Sequence, residues 1–83
     1  MTKVSVADVY TRAEWLCESL RSHGQAQAAE EVAMAIAAGA TGTEILMALR
    51  WHLQRLRAAS TLSAEEIAVA DEIVATIHQL LNF

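Results

Sequence analysis

The sequence predicts an all-α protein, a compact bundle of about four short antiparallel helices. Three observations carry this expectation. The 83 residues contain no proline and only three glycines, Gly24, Gly39 and Gly42, so helices are interrupted at few places. Alanine, the strongest helix former, occurs 17 times. The larger apolar residues recur at spacings of three and four, and no useful stretch alternates with period two. With no linker, repeat or low-complexity tail, residues 1–83 read as one α-helical domain.

Each helix has its own signals. The first is predicted over 6–23, with Ser5 as N-cap and an apolar face of Val6, Val9, Tyr10, Ala13, Leu16, Cys17 and Leu20. Gly24 supplies the stop. The second is predicted over 25–38, with Ala29, Val32, Ala33 and Ile36 inward, Glu30 and Glu31 solvated, and Gly39 at its end. The third is predicted over 43–59, its stripe formed by Ile45, Leu46, Leu49, Leu53 and Leu56. Thr41 and Glu44 have the spacing of a capping box, and Thr43 is an alternative cap. Ser60, Thr61 and Leu62 form a connection. Ser63 and Glu66 make the clearest capping box, with Leu62 and Ile67 placed as a hydrophobic staple. The fourth helix then runs to Leu81, with Ile67, Ala70, Ile73, Val74, Ile77 and Leu81 inward and Leu80 and Phe83 closing the core.

Charge and cysteine usage narrow the class of function. Ten acidic residues against six basic ones give a net charge of −4, which disfavours generic attraction to nucleic-acid backbones or anionic membranes. The single Cys17 allows no internal disulfide, and no stretch is long and apolar enough to cross a bilayer. The first five residues lack the apolar run of a signal peptide, so a cytoplasmic protein is expected.

Chemistry finds little to build on. Cys17 falls inside an apolar stripe, where a thiol behaves as a small hydrophobe, and no motif pairs it with His23, His52 or His78. Neither Glu-x-x-His nor His-x-x-x-His occurs, so no metal or other cofactor is expected. His23 stands near a helix C-terminus, where it can meet free carbonyls. The Gly39–Gly42 turn opens a helix but lacks the lysine of a phosphate loop. The sequence therefore predicts no enzyme.

The tryptophans stand out. Trp51 points away from the Leu49, Leu53 and Leu56 stripe, with Met47 one turn before it on the same side. Either the pair anchors an interface, or Trp51 packs inside against the second or fourth helix. Trp15 lies half a turn from the first helix's stripe, either as a further contact or flat on the surface under the stems of Arg12 and Glu18. The leading expectation is a non-catalytic interaction domain with Met47 and Trp51 as anchors and Arg50, Gln54 and Arg55 as a polar rim. It would bind a second copy of itself or a larger protein, as inhibitor and immunity-type proteins do. The rival is a helix-turn-helix regulator using residues 31–50, in which Ala35, Gly39 and Ile45 have the small–glycine–aliphatic spacing of a tight crossing. Its reading face would be poor, because Arg50 is accompanied by Thr41, Thr43 and Met47. A weaker rival is a small-molecule cavity between alanine-rich helices.

Overall fold

A computed structural model describes residues 6–59 and 61–81. The chain forms four helices, α1 (Val6–Ser22), α2 (Ala26–Ala38), α3 (Gly42–Ala58) and α4 (Ala64–Leu81), and no strand among the described residues. The expected N-cap at Ser5, the connecting Ser60 and the closing Phe83 lie outside the described residues.

Helix ends follow local chemistry. Gly24 adopts φ +76°, a left-handed conformation that L side chains resist. The Gln25 N–H donates to the Leu20 carbonyl at 2.7 Å and the Gly24 N–H to Arg21 at 3.2 Å, the paired bonds of a Schellman stop. At α3 the cap is Thr41 and the helix starts at Gly42; the alternative cap at Thr43 is not used. The Glu44 N–H donates to Thr41 Oγ1 at 3.2 Å and the Thr41 N–H to Glu44 Oε1 at 3.1 Å. At α4 the Ser63 and Glu66 box forms in the same reciprocal way, at 3.2 and 2.9 Å. Leu62 is buried beside it and Ile67 packs against the core.

The helices pack in a ring. α2 touches α1 and α3, and α4 touches α3 and α1, so α1 faces α3 and α2 faces α4 across the core. Neighbours run antiparallel: Arg12 meets Glu72 while the later Ser19 meets the earlier Glu66. Val9, Leu16, Leu20, Val32, Leu49, Leu53, Ile73 and Ile77 are all but sealed from solvent. Alanine at 28, 29 and 35 lets α2 lie close to its neighbours.

Three expectations about faces are corrected. Val6 is exposed, and the buried face of α1 begins only at Val9. On α2 the fully buried set is Ala28, Ala29, Val32 and Ala35, while Ala33 and Ile36 are only partly covered. Its inward arc is rotated because α2 is wedged between α1 and α3. Glu31 is not solvated like Glu30; it is half-buried against α3.

The α2–α3 turn depends on Gly39 for space rather than for backbone freedom. Its φ of −75° and ψ of 136° suit any residue. A Cβ there, however, would run into the Ile45 side chain and crowd the Ile45 nitrogen at 3.0 Å. Gly42 faces open space. Gly39→Val is therefore expected to cost about 1–3 kcal/mol through overpacking. Gly42→Ala, at the start of α3, is expected to add roughly 0.5 kcal/mol. Urea titration of the two variants checks the contrast.

Candidate protein-interaction site

The site is built from α2 and α3. Along α3, Leu46, Leu49, Leu53 and Leu56 take the inward positions. Helical geometry then forces Met47 and Trp51, one turn apart, onto the opposite side. Trp51 is 59% exposed and Met47 45%, which decides the question left open by the sequence: the indole is outside. From α2 comes Met34, 58% exposed, which the sequence pattern did not single out. Met34, Ala35 and Ala38 line an open groove with Ala48 and His52 of α3, about 390 Å³ in volume. Trp51 stands on the α3 bank, its ring edge-on to His52 with centroids 4.8 Å apart.

One end of the groove is tied by charge. Arg55 grips both carboxylate oxygens of Glu31 in a bidentate pair, through Nε at 2.9 Å and through Nη2. His52 Nδ1 lies 2.7 Å from Glu31 Oε2. The Arg55 guanidinium holds the Glu31 carboxyl below its ordinary value, against the upward pull of burial, and His52 acts in the same direction. Arg55, expected as a rim residue from sequence, also clasps α2 to α3 while half of its side chain stays exposed. Beyond the clasp lies a more polar cleft shared by Gln25, Thr61 and Ala59.

The remaining expected contacts fall as follows. Gln54 is exposed and Arg50 half-buried, flanking Met47 and Trp51 on the side of α3 away from the groove. Trp15 is 37% exposed, but α1 lies diagonally across from α3, so Trp15 does not join this face. Arg12, expected to cover it, pairs with Glu72 of α4.

Reactive groups are held in structural roles. Cys17 is buried, its Sγ donates to the Ala29 carbonyl at 3.6 Å, and burial pushes the thiol pKa up. Glu66, only 1% exposed, was legible as a capping residue but not as the centre of a cluster. Ser19 Oγ donates to its Oε2 at 2.7 Å, and His23 Nδ1 stands 3.0 Å from the same oxygen. His23 thus meets a carboxylate rather than free carbonyls. Because Ser19 and His23 share one oxygen, the imidazole does not stand between hydroxyl and carboxylate as a nucleophilic relay requires. Burial raises the Glu66 pKa, but bonds from the Ser63 backbone, Ser19 and His23 together outweigh it and leave the pKa lowered. Among the described residues no group of three or more His, Cys, Asp or Glu is placed to hold a metal ion, and no helix is long and apolar enough to cross a membrane.

Comparison with known families, curated proteins and solved structures finds no match to this chain.

Proposed function

We propose that this chain is a small helical interaction domain that docks on a protein surface through the α2–α3 face. The supporting observation is the exposure of three large apolar residues on adjacent helices: Met34 lines a groove with Ala35, Ala38 and Ala48, Trp51 stands beside that groove against His52, and Met47 lies one turn before Trp51 on the outward side of α3. Scattered exposed apolar residues are ordinary on a protein surface. Three of this size on two adjacent helices suit an interface, where methionine and aromatic anchors are enriched. The polar clasp of Glu31, His52 and Arg55 gives the groove a fixed wall rather than a mobile one.

The helix-turn-helix reading keeps one observation in its favour, the tight packing of Gly39 on Ile45. The outward face of α3 argues against it. Base edges need donors and acceptors, and α3 presents Met47 and Trp51 there. Arg55 and Arg57 are engaged by Glu31 and Asp71. No mobility shift of duplex DNA at low salt is expected.

The interaction reading is tested with a variant carrying Met34→Ser, Met47→Ser and Trp51→Ser. Size-exclusion chromatography of fresh lysate should place the parent chain in a species larger than 9.0 kDa and the variant at monomer size. Elution of both as monomers would refute the proposal.

A further inference from the structure

We infer that the partner enters the α2–α3 groove as a basic amphipathic helix, its apolar stripe on the groove floor and its lysines or arginines on the acidic borders. This rests on the interaction reading above and names the chemistry of the partner.

The shape of the groove selects a helix. Its walls are two helices, and among the described residues no strand offers an edge to an extended peptide. On the α2 side the lining runs from Gln27 to Ala38, so the trough follows that helix axis for roughly 17 Å. A partner helix of about three turns covers this length, with anchors at i, i+3 or i+4, and i+7. Ala35, Ala38 and Ala48 let its backbone come close, and the exposed, unbranched Met34 adapts to the anchor that arrives. From Val32 to Ala38, α2 carries no polar side chain, yet Met34, Ala37 and Ala38 are exposed. Helices apolar on every side are ordinarily enclosed.

Charge selects a basic helix. Glu30 stands exposed on the α2 bank and makes no ion pair with another described residue. Glu44, also exposed, lies one turn before Ala48 at the other end of the groove. Its carboxylate caps α3 by accepting from Thr41 and pairs with no described cation. Glu31 is balanced by Arg55 and His52, so the uncompensated charge at the groove is that of Glu30 and Glu44. Across α2, Glu14 and Glu18 of α1 extend the negative flank, with Arg21 beside them. Lysine or arginine stems next to the partner's apolar stripe are long enough to reach these borders.

A second copy does not offer such a helix. Arg12, Arg55 and Arg57 are held by carboxylates of their own chain, and Arg50 is engaged as well. Arg21 stands among Glu14 and Glu18. Two chains of net charge −4 also repel.

The test uses two synthetic amphipathic peptides of about 18 residues, long enough to be helical when bound. Both carry the same leucine stripe; the other positions are lysine in one and glutamate in the other. Each is titrated into the isotope-labelled full chain at physiological salt, followed by amide NMR. The lysine peptide should bind saturably and shift Met34, Ala38, Ala48 and His52, whereas the glutamate peptide should not bind. Met34→Ser should weaken binding by about tenfold, as loss of an interface anchor does. Glu30→Lys should weaken it by about tenfold at low salt and less at high salt. Glu65→Lys, exposed on α4, should leave the affinity unchanged. Circular dichroism confirms that each variant is folded. Equal binding of the glutamate peptide, shifts confined to α1 and α4, equal weakening by Glu30→Lys and Glu65→Lys, or no binding at all overturns the inference. If neither peptide binds while the chain still elutes from lysate in a larger species that the triple serine variant loses, the interaction reading stands and the basic helix alone is excluded.

Discussion

Leu49→Ala is expected to destabilise the domain by about 3 kcal/mol, within the range for emptying a core leucine site. Trp51→Ala, two residues further on, is expected to cost about 1 kcal/mol. The larger side chain thus has the smaller effect, because more than half of it stays in water within the monomer. Leu49 is fully buried, while Trp51 leaves 59% of itself in solvent. A domain of this size has a total stability of roughly 4–12 kcal/mol, so the leucine loss is a large fraction of it. Urea unfolding followed by circular dichroism at a few micromolar reads both values. A Trp51→Ala loss as large as that of Leu49→Ala would mean that the indole is part of the core.

Glu66→Ala is expected to cost about 2–3 kcal/mol. It removes half of the α4 capping box, worth about 1 kcal/mol at such sites. It also takes the acceptor from the Ser63 N–H and the Ser19 hydroxyl in a crowded corner between α1 and α4. Glu66→Gln keeps the size and isolates the charge. The native Glu66 carboxyl lies below its ordinary value of 4.5, so its ionised form is favoured by folding. The resulting stability is fully present above the ordinary value and is lost as pH falls through it toward the lower native one. The gap between parent and Glu66→Gln should therefore be full at pH 7 and narrow below about pH 4.5. Glu31 is depressed in the same direction, so acid weakens the α2–α3 clasp as well. A gap that widens on acidification would contradict this assignment.

What the sequence made legible was local. Capping boxes at Thr41 and Ser63, and the stop at Gly24, depend on residues a few positions apart, and all three form. The leucine stripe of α3 was equally clear, because large side chains mark a helical phase without ambiguity. On α2 the markers are alanines on both sides, and Ala33 and Ala35 look alike to any periodicity. The predicted face there came out rotated for that reason. Glu31 and Glu66 were misread or half-read because their partners lie 21 to 47 residues away. No local spacing encodes such pairs; the ring order of helices creates them.

The proposed interaction site divides along the same line. Met47 and Trp51 were visible because they share one helix and one phase. Met34 was not, because its significance comes from the helix across the groove. Arg55 was expected on the rim by spacing alone; its pairing with Glu31 of the neighbouring helix was not legible from that spacing. Trp15 illustrates the converse: two exposed tryptophans suggest one surface, but the ring separates α1 from α3.

The proposed interface position is open to covalent mapping. A benzophenone amino acid is placed singly at Met34, Met47, Glu65 and Gln79, all exposed, the last two on α4, and the chain is irradiated in cells at native abundance. Adducts to protein are expected from Met34 and Met47, with little or none from the α4 positions. Adducts arising from Glu65 and Gln79 while Met34 and Met47 stay silent would show that the α2–α3 face is not where this domain meets its partner.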